Sequence, residues 1–467
     1  MTGVLAVSCT DLEESPSGLL TSELFYKTES DALAAVTSIY NASLNNGGLT
    51  MYNRLMHLGM EILSDDATAG PRMTNPDARA MAYLTLSTTN DRVDELWREH
   101  YVAITRANIA ISRIPHIDMN TTLRDRLVRE ARFLRALMYF NLVRLWGDVP
   151  LVVEETGSLK ADQIHIPRTP SEEVYTQIIR DLTDAESLPA SYSGADLGRA
   201  TGGAAKALLA KVYLTRKEWD KTVAKSLEVI TGPYGYDLFE NFADVFEVAT
   251  KNGKEHIFSV QCKSNVNGQG NRLASSCTPV GIPGVAAAGT DLPNTGVYDL
   301  YDSKDKRKSV TFFTSLVSPA NGQKYEFEAR FFKYFDMDQI GNPTESARNI
   351  PVLRFADVLL MYAEALNESQ GPVAAAYEAI NRVRRRAGLE DLTGLSQSNF
   401  REAVYLERRL ELMMEFHRWF DLKRTGRVLE QLHQWDKPNA QERHYLHPIP
   451  QREIDLNPRL VQNPGWE

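Results

Sequence analysis

No apolar run in this chain approaches the ~18 residues that a membrane-crossing helix requires, so the sequence offers no spanning helix. Basic charge is also short. Lysine and arginine number 52 against 61 aspartate and glutamate, a net charge of −9, and a general nucleic-acid binder needs clustered cations for its phosphate contacts. The dense basic run Arg382-Val383-Arg384-Arg385-Arg386, wound on a helix, spreads around the cylinder and reads as a solvated, salt-bridged face. Metal-ligand spacing is missing too: the nine histidines are scattered, with no pair at zinc-helix spacing. Asp336 to Gly341 superficially resembles a calcium loop. Ile340 stands where an oxygen ligand is needed, however, and Ala347 replaces the glutamate of the twelfth position. No glycine loop carries the Lys and Ser or Thr that cradle phosphates. No metal and no cofactor is expected.

Cysteine is confined to three positions. Cys9 follows a short, mildly apolar stretch from Gly3 to Ser8. A small residue before a cysteine is how a bacterial lipoprotein signal ends, so Cys9 is a candidate acylation site. The polar stretch Thr10–Gly18 behind it suits a tether. Cys262 and Cys277 lie in a Gly- and Ser-rich region. They read either as a disulfide that stiffens a loop by about 3 kcal/mol or as two thiols. Tryptophan is absent from the irregular loops. Trp97, Trp146, Trp219, Trp419 and Trp466 lie in segments that read as core or packing, whereas Trp435 lies in a polar connection.

What the chain does have is helix. At 467 residues it exceeds the size at which one core usually stops growing, so two lobes are expected. Apolar spacing predicts helices over Asp31–Leu44 (with Ser30 as its cap), Asp94–Ile114, Leu127–Trp146, Glu172–Ala185, Gly202–Leu214, Trp219–Ile230, Ala356–Asn367 and Val373–Arg386. The interval from Tyr213-Leu214 to Ala224 equals that from Ala365-Leu366 to Ala376, which points to tetratricopeptide-like pairing of helices. From about Phe239 to Asn349 the character changes. Gly, Pro, Asn and Ser become frequent, and short extended runs appear at His256–Gln261, Val310–Phe313 and Arg330–Tyr334. Long irregular insertions in a compact protein are usually functional. The expected fold is mainly α: a tetratricopeptide-like helical-repeat scaffold with a loop-rich cap containing little β structure.

Four long segments carry a family likeness. Glu407 to Gly426 reads as an amphipathic helix with Leu406, Leu410, Met413, Met414 and Phe420 on one stripe, His417 and Trp419 beside it, and Lys423 and Arg424 in its last turn. Glu130 to Ala136 with Tyr139 to Pro150, Arg354 to Glu368, and His447 to Trp466 follow the same pattern of likeness. Together, in their order along the chain, they resemble the SusD/RagB family of Bacteroidetes surface lipoproteins. Segments near 64–95 and 262–350 match it weakly.

The resemblance implies a lipid-anchored protein at the outer-membrane surface. It would bind oligosaccharides and deliver them to a SusC-like TonB-dependent transporter, without covalent chemistry. RagB-like peptide binding is the alternative; a hydrolase on a helical scaffold and an intracellular repeat adaptor are further ones. The expected division is a signal remnant and tether at 1–18, a scaffold at 19–238 with an early binding loop at 64–95, a cap at 239–349, and returning helices and tail at 350–467. A sugar needs aromatic rings for its C–H faces and Asn, Gln, Asp or Arg for its hydroxyls. The candidate contacts are therefore Arg72, Asn75, Tyr83, Gln269, Asn271, Arg272 and Asn294, with Asn90 nearby in sequence. Glu61, Asp65 and Asp66 are the acids a glycosidase reading would use; they read instead as turn-holding or solvated groups. His417 reads as a hydrogen-bonded side chain inside a helix interface rather than a base.

Overall fold

The computed structural model describes residues 25–44, 51–157, 160–266 and 268–467. Cys9 and the 1–18 tether lie outside the described residues. Helices α1 (Glu29–Leu44), α2 (Pro76–Ala82), α3 (Asp91–Arg113), α4 (Thr121–Trp146), α5 (Ser171–Ala185), α6 (Gly202–Thr215) and α7 (Trp219–Thr231) precede the cap. After it come α8 (Phe355–Gln370), α9 (Ala374–Ala387), α10 (Gln397–Leu412), α11 (Arg418–Thr425) and α12 (Val428–Gln434). Each predicted helix is present, and several begin earlier than apolar spacing suggests because a polar side chain caps them. The Asn90 side chain accepts from the Arg92 and Val93 amides and starts α3 at Asp91. Asn120 accepts from Leu123 and starts α4 at Thr121. The cap of α1 is Thr28 rather than Ser30: the Thr28 hydroxyl accepts from the Asp31 amide at 3.2 Å while Asp31 accepts from the Thr28 amide at 2.8 Å.

The scaffold is a chain of neighbours. α3 packs on α4, α4 on α5, α5 on α6, α6 on α7 and α7 on α8, with α1 across α3 and α4. α8 then carries α9 and α10. α6 can touch so many partners because its buried residues include Gly202, Gly203, Ala204, Ala205, Ala207 and Ala210; small side chains let helix axes approach. The hairpins α6–α7 and α8–α9 are the two units whose spacing coincides in sequence, and they lie side by side.

The cap leaves after α7 and returns before α8. Its two ends are strands that pair with each other: β2 (His256–Val260) runs antiparallel to β6 (Ile350–Arg354), with His256 opposite Arg354 and Val260 opposite Ile350. All ten residues are buried; Phe258 meets Phe133 of α4 edge to face at 4.9 Å. Beyond that ribbon, β4 (Phe312–Val317) and β5 (Lys324–Phe331) form a hairpin. Phe312 and Phe331 join the main core, while Ile282, Leu316 and Phe335 form a small core of their own against Phe313, Phe327 and Phe332.

Buried charge ties the cap to the scaffold. Arg354 is 1% exposed and reaches Glu255 at 2.6 Å, Glu411 at 2.9 Å and Glu415 at 2.6 Å. Lys333 of the cap reaches Glu415 at 2.9 Å, and Arg307 reaches Glu407 at 2.6 Å and Glu411 at 3.2 Å. Arg386, expected on a solvated face, turns inward to Glu255 and Glu411. Its neighbours Arg382 and Arg385 pair with Asp237 and Asp391 nearer the surface. Burial opposes ionisation of Glu411 and Glu415, but the surrounding cations outweigh it and hold both below the usual carboxylate range.

The Glu407–Gly426 segment departs from the single helix expected. α10 ends at Leu412, Met414 and Phe416 take left-handed φ of 65°, and α11 begins at Arg418. Such a conformation costs a non-glycine residue roughly 1–2 kcal/mol. In return the break exposes backbone groups that other segments use. Glu61 accepts from the Phe416 amide, and the Tyr334 hydroxyl donates to the Met414 carbonyl at 3.1 Å. Leu406, expected on the apolar stripe, lies on the outer side of α10 and is 47% exposed. His417 is buried, with Nδ1 3.2 Å from the Lys211 Nζ; burial first, then Lys211, lower its pKa to about 3.

Candidate ligand-binding face

The two irregular segments, 64–95 and 262–300, meet. β1 (Ala67–Ala69) and β3 (Asp291–Pro293) form a two-stranded antiparallel ribbon with Thr68 opposite Leu292, and the Asn294 amide donates to the Asp66 carbonyl at 2.9 Å. The join is braced from beneath. Arg54 and His57 reach Asp291 at 2.6 and 2.9 Å. Burial opposes the charge of Asp291, and these two partners hold its carboxyl far below the ordinary range regardless. The Asn53 side chain clamps the second loop, donating to the Gly270 carbonyl at 2.9 Å and accepting from the Arg272 amide at 2.7 Å.

Glu61, Asp65 and Asp66 belong to this foundation. None is more than 1% exposed. Arg418 grips Asp65 at 2.7 Å and Arg409 grips Asp66 at 2.7 Å. Burial works against the charge of Asp65, yet Arg418 and then Arg409 keep it below the usual range. Glu61 lacks such a cation in contact, and burial, reinforced by Asp66, pushes it up to about 8. A glycosidase needs two carboxyl groups flanking a bound sugar; these three face the interior. They position the loop above them.

On the outer side stand Arg72, Asn75 and Tyr83, all exposed. Asn75 also has a local task, since its side-chain oxygen accepts from the Ala78 amide at 2.8 Å and caps α2. Tyr83 ends α2 with its ring 39% exposed and the Arg79 guanidinium 5.3 Å from its centroid. Beside it runs the segment 435–440. Asn439 donates to the Tyr83 carbonyl at 2.9 Å, and Lys437 donates to the Ile62 and Ala82 carbonyls at 2.7 Å each. At the head of that segment the half-buried Trp435 lies between the Arg409 guanidinium, 4.4 Å from its ring, and Gly296 of the second loop. Trp435 is the aromatic that sequence reasoning left outside the site. Its one signal was its place in a polar connection away from the helix cores.

The second loop divides its expected contacts. Asn271 and Asn294 do not reach the surface, being 0% and 6% exposed. Asn271 donates to the Arg348 carbonyl and accepts from the Leu273 amide, and Asn294 donates to the Trp435 carbonyl. Both expected ligand contacts thus have their amides engaged in holding loops together. Gln269 is exposed and faces a depression along α1 instead of Tyr83. Arg272 is half-buried; neither it nor Arg72 pairs with a carboxylate among the described residues. Asn90 is buried as the cap of α3. No disulfide joins Cys262 to Cys277. Both are buried thiols, one at the end of β2 and the other in the short helix Leu273–Cys277, and burial pushes the Cys262 thiol up to about 12.

Comparison with known proteins follows the same geometry. A family model described as SusD family matches residues 317–466, and one described as starch-binding associating with outer membrane matches residues 28–214. SusD-like protein P2 of Formosa agariphila is 32% identical over 98% of this chain and 97% of its own. A SusD superfamily crystal structure from Parabacteroides distasonis superposes with a TM-score of 0.84 at 29% identity, covering 96% of this chain and all of the other. A laminarin binding SusD-like protein superposes with a TM-score of 0.80, also at 29% identity, over 94% of this chain and all of its own.

Proposed function

This chain belongs to the SusD family, and from that premise we propose that it captures oligosaccharides at the outer-membrane surface on the face built from 64–95, 262–300 and 435–440. The observation that carries the reading is that the two loop segments meet in the β1–β3 ribbon, with an exposed Tyr83 and a half-buried Trp435 beside it, and Arg72 and Arg272 in those segments without a carboxylate partner among the described residues. Aromatic rings suit the C–H faces of a sugar, and unpaired guanidinium groups suit its hydroxyls. The laminarin-binding relative and the starch-binding family description support the choice of glycan. Capture needs no covalent step, and the acids that could perform one are turned inward.

The finer parts of the proposal are an acyl anchor on Cys9 and hand-over to a SusC-like TonB-dependent transporter. In cells lacking that transporter, Cys9→Ala should move the protein out of the outer-membrane fraction with its fold intact. Persistence of the variant in that fraction would remove the anchor from the reading.

The ligand face is tested by calorimetric titration against a panel of oligosaccharides and oligopeptides. Arg72→Ala, Arg272→Ala and Tyr83→Ala should each weaken the best oligosaccharide by about 1–3 kcal/mol, the range for a charge-assisted hydrogen bond or a lost stacking surface. None should shift the melting temperature much, since each side chain stands outside the core. Wild-type affinity in all three variants, or tight binding by peptides alone, sinks the proposal.

A further inference from the structure

On the scaffold flank, away from Tyr83 and Trp435, a groove runs between α1, the 190–201 connection and the outer side of β2. It consists of two depressions, of about 200 and about 720 Å³, that share Leu197, Gly198, Arg199 and Ser259 as a common neck. The smaller one is walled by Tyr234 and Tyr236, whose rings stack at 5.6 Å with 22° between their planes. We propose that this groove is a second carbohydrate site, which holds a stretch of neutral oligosaccharide with a sugar ring against the Tyr234–Tyr236 wall.

The wall is built into the fold. Both rings lie on the first turn of α6 over Gly203, where a Cβ would fall 2.7 Å from the Tyr236 ring and 3.0 Å from that of Tyr234. The Tyr236 hydroxyl is 3.0 Å from that of Thr201, which caps the same helix. The Tyr234 hydroxyl has no partner among the described residues. Two half-buried rings stacked in a fixed pair are a surface on which a pyranose packs its C–H groups.

Polar groups around the rings lack partners. The hydroxyls of Tyr192 and Ser259 and the Nδ1 of His256 are buried and hydrogen-bond to nothing among the described residues. Ser259 is 2% exposed and lines both depressions. An unsatisfied buried polar atom is expensive and each calls for an explanation; a hydroxyl-rich ligand, directly or through its ordered waters, supplies one. Asn252 and Gln261 present amides at the rim, already paired with each other at 2.9 Å.

Charge decides the class of sugar. Arg199 is held by Glu130 at 2.9 Å and by Asp196 at 2.8 Å, and Lys254 lies 3.9 Å from Asp237. Arg199, the cation of the shared neck, is thus paired, in contrast to Arg72 and Arg272 on the ligand face, while Lys254 at the rim shares Asp237 with Arg382. At the neck an acidic glycan finds no free countercharge, whereas a neutral one loses nothing.

The test is amide hydrogen exchange on the full chain at millimolar maltohexaose, laminarihexaose, xylohexaose or mannohexaose, with a neutral hexapeptide pool as a further arm. At least one hexaose should protect peptides from 190–201 and 232–259. Tyr234→Ala should lose that protection and Tyr234→Phe should keep it. Leu197→Trp, which fills the neck from an exposed position, should lose it as well, so the result does not depend on one variant folding. Absence of protection with all four sugars, protection that survives both Tyr234→Ala and Leu197→Trp, or protection by the peptides instead overturns the site. Peptides from 69–85 and 280–296 report on the cap face in the same experiment, so failure there is read separately.

Discussion

Arg354→Ala is expected to lower the unfolding free energy by about 3–5 kcal/mol, the cost of removing one partner from a buried ion pair. The loss comes less from the contacts themselves than from what they leave behind. Arg354 serves Glu255, Glu411 and Glu415 at once, and without it three carboxylates share Arg386, Arg307 and Lys333. The effect should depend on pH in a stated direction. In the wild type Glu411 and Glu415 have lowered pKa values. Their pairing therefore contributes fully above about 4.5, the unfolded value, and is lost as pH falls through the folded values. In the variant those folded values rise, so the gap between the two proteins should be widest near neutrality and narrow below about pH 4.5. Chemical denaturation followed by circular dichroism measures both. A gap that stays constant with pH, or one below about 1 kcal/mol, would show that Arg354 acts as packing and not as countercharge.

Trp419→Ala should also cost about 3–5 kcal/mol, here through lost burial and the cavity left behind. Trp419 is 1% exposed and lies in the first turn of the helix that restarts after the break at Met413–His417. Its indole nitrogen is buried without a partner among the described residues, so Trp419→Phe breaks no hydrogen bond there and should be the milder change. The folded fraction of either variant should bind oligosaccharide with wild-type affinity. Unchanged melting with lost affinity would instead place this ring in the ligand site.

The scaffold was legible because its signals are local. Apolar residues recur at helical spacing in every long helix, and the errors fall at starts where a cap outruns the apolar stripe, as Asn120 does for Leu127. The broken signature segment was not legible, because its apolar stripe continues through Met413 and Met414 as if the helix did. The groups that take up the freed backbone lie far off in sequence, in Glu61 and Tyr334. The ligand face was half legible for the same reason. Arg72 and Tyr83 are exposed as an ordinary loop residue would be. Asn271 and Asn294 look no different in sequence, yet their amides are claimed by Arg348 and Trp435 carbonyls that only the fold brings near.

The pairing of β2 with β6 has a consequence for how such a protein can change. Because α7 packs directly on α8, the helical chain reads as continuous across the point where the cap is inserted, and the inserted stretch enters and leaves through adjacent, hydrogen-bonded strands. Changing what lies beyond that doorway need move no helix of the scaffold, provided its ties to the rest of the chain, Arg307, Lys333, Asp291 and the β1–β3 ribbon among them, are kept. Selection can therefore rewrite what the surface recognises while leaving untouched the framework on which folding depends. The four sequence segments of likeness lie outside the inserted stretch, although the SusD family match itself begins within it, at residue 317.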